Sequence, residues 1–461
     1  MAKDKPSIPK GTRDFGPIEL KKRSYILNTI ETVFKKYGFM PIETPSIENL
    51  STLEGKYGDE GDKLLFRILN SGDAFKEIRE KNADEKIANF KFQNSDVSEK
   101  GLRYDLTVPF ARYVVQHQNE ITFPFRRYQM QAVWRADRPQ KNRYREFWQC
   151  DADVIGSNSL LNELDLILLY DEAFRKLQIS KYELRINNRK ILQGIAEIIK
   201  GKEFLNSISI AIDKLDKIGE DEVKKELIEN KFTENECTNL FQIFKLNGTN
   251  AEKLMSLKNI LSQSTEGLKG IEELEFVINS LKHSSTQSPN LKIDLSLARG
   301  LGYYTGCIFE VTAGEGTIKS SIGGGGRYDN LTGIFGLENI SGVGVSFGLD
   351  RIYDVMDELK LFPGNLKANN TKLIFCYFDE ASQNYCLQAI NKVRNGGIAS
   401  EIYPDIVKKI SKQLDYVNKL EIQFAAIAGE NEMKEGKFMF KDLFAGTQEL
   451  LSIENIIEKL K

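Results

Sequence analysis

Cysteine and histidine are scarce in this chain. The five cysteines, Cys150, Cys237, Cys307, Cys376 and Cys386, are odd in number, scattered and never in a C-x-x-C arrangement, so neither a disulfide framework nor a thiolate zinc site is indicated. His117 and His283 are the only imidazoles, too few to suggest a transition-metal site. No apolar run approaches the length of a membrane span, and the opening MAKDKPSIPKGTRDF lacks the apolar core of a secretory signal, which makes the cytoplasm the expected compartment. Net charge is also nearly absent: 64 basic against 66 acidic residues leave −2, which argues neither for nor against nucleic acid, because basic residues can still gather on one face. What remains is the composition of a soluble globular protein, 41% apolar and 28% charged, in 461 residues that suffice for two or three domains.

The densest chemistry lies at residues 125–156, FRRYQMQAVWRADRPQKNRYREFWQCDADVIG. Two aromatic and β-branched runs flank the polar loop at 137–142 and predict an antiparallel hairpin with a long tip. Period-two alternation on the return puts Tyr144, Trp148, Cys150, Ala152 and Val154 on one face, and Arg143, Arg145, Phe147, Gln149, Asp151 and Asp153 on the other. Arg135 ends the outgoing strand and Arg143 opens the return, so two guanidiniums can face one phosphate. An adenine nucleotide beside an amino acid suits such a face. A solvated strand face or an RNA-binding hairpin suits the same residues.

This stretch resembles the second signature motif of class II aminoacyl-tRNA synthetases, in the form seen in histidyl-tRNA synthetases. Other segments extend the resemblance over nearly the whole chain. Pro9-Lys10-Gly11-Thr12-Arg13-Asp14-Phe15 resembles the opening of that family, and a helix carrying Ile26, Ile30, Val33, Phe34 and Tyr37 is predicted to stop at Gly38. Residues 39–45 resemble the first class II motif, a strand that in the family builds a dimer interface. Residues 70–100 are polar and lysine-rich and predict a surface insertion. In Leu102-Arg103-Tyr104-Asp105-Leu106-Thr107-Val108-Pro109-Phe110, Asp105 and Thr107 would share one face if the segment is a strand; an Asx-type turn fits these residues as well.

Residues 160–178 predict a largely buried helix and 182–187 a strand. Residues 188–288 then carry amphipathic stretches at 191–199, 208–218, 241–246, 254–261 and 271–281, a helical subdomain inserted between two parts of one site. Arg299-Gly300-Leu301-Gly302-Tyr303-Tyr304 resembles a peptide peculiar to histidyl-tRNA synthetases, with Gly302 where many relatives have Asp. Gly323-Gly324-Gly325-Gly326-Arg327-Tyr328 resembles a second such peptide, whose glycines are expected to bring backbone N–H groups to a ligand. Residues 342–352 resemble the third class II motif, a strand entering a helix with Arg351 at its start. After a polar linker around Pro363-Gly364, strands at 372–378, 400–403, 421–428 and 437–440 alternate with helices at 382–393, 406–420 and 448–460. This part resembles the family's C-terminal anticodon-binding domain.

The resemblance implies an α+β protein: a class II synthetase antiparallel sheet flanked by helices in residues 1–365, with the helical insertion at about 188–288, and an α/β anticodon-binding domain at 371–461. It implies activation of L-histidine by ATP with Mg²⁺, then transfer to tRNA(His), in a homodimer. Arg135 and Arg299 would be catalytic, at the α-phosphate and substrate carboxylate. Asp105, Thr107 and Gln149 would take the ammonium, and Asp153 and Tyr304 the imidazole, with Tyr303 and Arg327 close by. Asp137 and Phe147 would meet the adenine, Arg143 and Arg351 the β- and γ-phosphates, and Arg138 and Gln140 the acceptor end of tRNA. A synthetase-like regulatory subunit of ATP phosphoribosyltransferase is the competing expectation, but that paralogue lacks an anticodon-binding domain.

Overall fold

A computed structural model describes all residues except 1–4, 77, 79–95, 141, 285–288, 299–301 and 319. The chain separates into two compact units, residues 1–14 with 22–362 and residues 15–21 with 363–461.

The first unit is built on eight strands: β1 (Met40–Pro41), β5 (Phe125–Trp134), β6 (Glu146–Ile155), β7 (Tyr182–Asn188), β8 (Leu291–Ile293), β9 (Cys307–Ala313), β10 (Ser321–Tyr328) and β11 (Gly342–Gly348). They lie in the order β1-β5-β6-β11-β10-β9-β7-β8. The six inner strands are antiparallel throughout, and the two edge pairs, β1 with β5 and β7 with β8, are parallel. A small second sheet, β2 (Ile47–Asn49), β4 (Lys100–Leu102) and β3 (Arg67–Ile68), stands apart.

The alternation of β6 decides which face is core. Cys150, Ala152 and Val154 are buried with Tyr128, Val343, Val345 and Phe347 against Ile26, Ile30, Val33 and Phe34 of the first helix and the helix Leu161–Lys176. Phe347 is the hub, its ring 5.8 Å from that of Phe34, 4.6 Å from Tyr170 and 5.4 Å from Phe174. Burying one such ring stabilises by roughly 1.5–3 kcal/mol. The other face of the same strands is left for polar groups.

The insertion is helical as expected, and includes a helix the pattern missed, Glu220–Glu229, which buries only Val223 and Leu227 among charged residues. At the front of the site one open alternative is decided and one expectation changes. Asp105 does not lie on a strand: Thr107 opens the helix Thr107–Gln116, and Asp105 Oδ1 accepts the Val108 N–H at 3.1 Å, so a short acidic side chain closes the first turn. The glycines 323–326 sit inside β10, between β9 and β11. The two ladders engage their N–H groups, and what the glycines supply is an absence of side chains on the sheet.

The second unit holds a five-stranded mixed sheet, β13-β12-β14-β15-β16, with β12 (Leu373–Tyr377), β13 (Ser400–Ile402) and β14 (Phe424–Ala428) parallel and β15 (Phe438–Asp442) and β16 (Thr447–Leu451) antiparallel. Strand β16 was expected to be helical. The terminal helix instead begins at Ile453, where Ser452 accepts the Asn455 N–H. Among the described residues, no helix is long and apolar enough to cross a membrane.

Candidate active site

A cavity of about 320 Å³ opens on the polar face of the large sheet. Its walls bring together seven of the residues singled out from the sequence: Arg135, Asp137, Arg143, Phe147, Gln149, Tyr304 and Arg351. Strand ends place them. Arg135 follows β5, Phe147 and Gln149 lie on β6, and Arg351 is in the first turn of the helix Leu349–Glu358, which continues β11.

The cationic end is crowded. Arg135 lies between two rings, its guanidinium carbon 4.3 Å from the centre of Tyr104 and 5.1 Å from that of Phe147, and its Nε donates to the Tyr104 carbonyl at 3.1 Å. Arg351 donates to the carbonyls of Ser321 at 2.7 Å and Asn142 at 3.3 Å. Neither forms an ion pair with a described residue. Burial lowers the pKa of Arg351, and the charges of Arg135 and Arg143 lower it further, because three guanidiniums are held near one another. Such a group of like charges is a place prepared for an anion. Arg143 and Asp137 pair with each other at 2.9 Å, so their expected roles toward phosphate and adenine begin from a closed ion pair.

The wall behind these residues was not foreseen. Asp350, one residue before Arg351, takes Arg13 at 2.7 Å and Arg23 at 2.5 Å, and accepts the Trp148 N–H at 2.9 Å. Arg13 also lies 3.8 Å above the ring of Tyr144, whose hydroxyl donates to Asp354 at 2.8 Å. The N-terminal segment thereby braces the return strand of the hairpin.

The acidic end lies deeper. Asp105 is buried, accepts from Tyr303 at 2.9 Å and Tyr57 at 3.2 Å, and has a pKa raised by desolvation. Thr107 adjoins Tyr303 in the same cluster and eases the rise that burial imposes on the Tyr303 hydroxyl. Asp153 pairs with the fully buried Arg127 at 2.7 Å and accepts from Tyr328 at 2.7 Å. It lies so close under β11 that a Cβ on Gly344 would stand 1.9 Å from its Oδ1, so only glycine is accommodated there. Asp105, Thr107, Asp153 and Tyr303 do not line the cavity; Tyr304, with its ring 5.1 Å from that of Tyr303, does. Asp151, unassigned from sequence, is 2% exposed, and burial, reinforced by Asp153, pushes it up to about 7 against the opposing effect of Arg127.

Two expectations are not met by the geometry. Arg327 is not at the cavity: both oxygens of the fully buried Glu163 take it, at 2.5 and 2.6 Å, and Ser341 accepts from it at 2.5 Å. The expected backbone N–H donors of the glycine run are held in the sheet, as described above. Arg299 lies outside the described residues, as does most of the segment at 70–100. Arg138 and Gln140 stand exposed at the hairpin tip.

An antiparallel sheet flanked by helices, with an arginine-lined cavity built from a long hairpin and a strand-to-helix turn, defines a class II aminoacyl-tRNA synthetase catalytic unit. Residues 73–352 match the family model of histidyl-tRNA synthetase, and residues 367–461 match that of the anticodon binding domain. The chain belongs to the histidyl-tRNA synthetase family. It is 54% identical over 457 residues to the histidine–tRNA ligase of Christiangramia forsetii, and 55% identical over 461 residues to that of Bacteroides fragilis, in each case over 99% of both chains. The crystal structure of histidyl-tRNA synthetase from Nostoc sp. PCC 7120 superposes with a TM-score of 0.77 at 30% identity, covering 99% of both chains. The fold is also that of an ATP phosphoribosyltransferase regulatory subunit/histidyl-tRNA synthetase from Bacillus halodurans, with a TM-score of 0.71 at 19% identity.

Proposed function

We propose that the chain is a histidine–tRNA ligase, which joins L-histidine to ATP as histidyl-adenylate with release of pyrophosphate and then transfers histidine to the 3′ end of tRNA(His). The observation that carries this reading is the convergence of Arg135, Arg143 and Arg351 on one cavity, in a chain that also has a match to the anticodon binding domain. That second match favours a charging enzyme over the regulatory paralogue.

Activation brings two anions together, the amino-acid carboxylate and the α-phosphate, so the protein contributes position and fixed positive charge more than covalent chemistry. Arg135, held between Tyr104 and Phe147, is directed at that meeting point. Arg351 and Arg143 take the outer phosphates, and opening of the Arg143–Asp137 pair frees both side chains for nucleotide. Arg299 joins the α-phosphate site by family resemblance alone. Gln149 and Tyr304 face the amino acid, while Asp105, Asp151 and Asp153, balanced by Arg127, give that end of the site a negative field suited to an ammonium and an imidazole. Asp105 and Thr107 act there through Tyr303, and Arg138 and Gln140 face the tRNA acceptor end.

Among the described residues, no group of three or more metal-ligating side chains exists. A Mg²⁺ ion accompanying the nucleotide would find one carboxylate on the cavity wall, that of Glu310. When bound, the ion neutralises charge on the β- and γ-phosphates.

By the same reading, residues 1–365 form the catalytic domain with its insertion at about 188–288, and 371–461 the anticodon-binding domain. The enzyme works in the cytoplasm as a homodimer, with β1 at the sheet edge and Met40 about half exposed as part of the interface. The test is amino-acid-dependent exchange of labelled pyrophosphate into ATP, run with each of the twenty amino acids and no tRNA. Exchange with L-histidine alone is expected. Silence with all twenty in folded protein, or exchange with a different amino acid, would overturn the proposal.

A further inference from the structure

Gln149 has one half of its amide engaged and the other half waiting. Its Nε2 donates to Ser346 Oγ at 2.9 Å, while its Oε1 is buried without a hydrogen-bond partner, and both residues line the cavity. A buried acceptor left open on a cavity wall points to a ligand donor. The orientation of the amide matters, because turning it over would present an NH₂ to the cavity and repel a cation.

The strand register supplies what fixes that orientation. Ser346 on β11 stands directly opposite Asp151 on β6, and opposite Gly324 on β10, which in turn faces Glu310 on β9. Residues directly opposite in an antiparallel pair share a face. Asp151 is therefore on the cavity face directly across from Ser346, whose hydroxyl favours its charged form. Asp151 Oδ1 is buried and has no hydrogen-bond partner of its own. A buried carboxyl oxygen is the stronger claimant for the single hydroxyl hydrogen of Ser346. Ser346 Oγ already accepts from Gln149 Nε2, and its hydrogen, drawn toward Asp151, is kept from the amide oxygen, which is left turned to the cavity.

We propose that Ser346 and Asp151 are positioning residues, which act through Gln149 to fix its amide with the oxygen toward the α-ammonium of the amino-acid substrate. This rests on the reading of the cavity as an amino-acid activation site. It adds the part of the pocket that distinguishes an α-amino acid from the same molecule without its amine.

The test uses full-length protein and histidine-dependent pyrophosphate exchange, with imidazolepropionate, which is histidine without its amino group, as competing inhibitor. Ser346→Ala is expected to raise the KM for histidine roughly tenfold, the size of one hydrogen bond to a charged group, with kcat close to that of the unaltered protein. The inhibition constant of the amine-free analogue and the KM for ATP stay unchanged, since neither ligand meets the Gln149 oxygen. Ser346→Thr, which keeps the hydroxyl, restores most of the histidine affinity. Asp151→Asn, whose amide can itself donate to Ser346, shifts the histidine KM in the same direction as Ser346→Ala. An unchanged histidine KM in Ser346→Ala, an equal loss for the amine-free analogue, or no rescue by threonine would overturn the proposal. Absence of exchange in the unaltered protein would overturn the underlying reading, and the positioning role with it.

Discussion

Arg327→Met separates a structural role from a ligand-binding one. Arg327 is 4% exposed and Glu163 is fully buried, and the guanidinium meets both carboxylate oxygens while also serving Ser341 Oγ and the carbonyls of Ser157 and Ser159. Desolvation already raises the pKa of Glu163, and the arginine is what lowers it again. Removing the arginine alone leaves an uncompensated buried carboxylate, a change that costs about 3–5 kcal/mol. Replacing both partners by apolar groups of similar volume, in Arg327→Met/Glu163→Leu, removes the stranded charge and should recover at least half of that loss. Urea unfolding followed by tryptophan fluorescence is well suited to the measurement. The only tryptophans, Trp134 and Trp148, both lie on the hairpin strands, so the signal reports the catalytic unit and not the C-terminal one. The KM for histidine in the double variant should stay near that of the unaltered protein. A single variant of full stability, with a histidine KM raised tenfold or more, would refute the reasoning and return Arg327 to the substrate.

Two further outcomes follow from the charges around the cavity. Arg351→Gln should raise the KM for ATP by roughly ten- to a hundredfold, the worth of a lost charge-assisted contact, and leave the histidine KM near its original value; an unchanged ATP KM would remove Arg351 from the nucleotide site. Stability should not fall, because the substitution relieves the repulsion from Arg135 and Arg143. Asp151 sets a pH dependence of stability whose sign is fixed by its raised folded-state pKa of about 7. An unfolded Asp ionises near about 3.9, so between these values the folded chain holds a proton that the unfolded chain has released. The contribution of Asp151 therefore favours folding at low pH and is lost as pH rises through about 7. The stability difference between Asp151→Asn and the unaltered protein, read by urea unfolding from about pH 5 to about pH 8, should move in favour of the variant as pH increases; a constant difference would place the carboxyl outside the buried cluster.

Local rules carried the reading furthest where a single strand or helix expresses its own burial. The alternation of β6 identified core and site faces together, because Cys150, Ala152 and Val154 must pack while Phe147 and Gln149 must not. Such a signal fails at an edge. In Thr447–Leu451 no residue is buried, so nothing alternates, and Gln-Glu-Leu-Leu reads as the start of the helix that Ser452 actually begins. The charged helix Glu220–Glu229 was hidden for a related reason, as two buried residues make a faint stripe. Asp105 was ambiguous because a short acid can lie on a strand or close a helical turn, and its bond to Val108 is invisible until the chain direction is known. The pairs that hold the site together lie beyond any local pattern. Arg327 and Glu163 are 164 residues apart, and Arg13 and Asp350 are 337 apart, so only the topology joins them.

The glycines of β10 and β11 explain why so much charge can be buried in the middle of a sheet. A side chain at Gly324, which shares the face of Ser346 and Glu310, would intrude on the cavity floor, and one at Gly344 would collide with Asp153. Removing them makes room for a dipolar arrangement, with Arg135, Arg143 and Arg351 at one end and Asp105, Asp151 and Asp153 around Arg127 at the other. Each end taken alone is unfavourable, since like charges are held together out of water. A ligand with an anionic phosphate chain at one end and an ammonium and imidazole at the other relieves both at once, and a ligand with only one of these ends relieves only half. The field of the site therefore favours binding the two substrates together, carboxylate toward phosphate, which is the approach that adenylate formation requires.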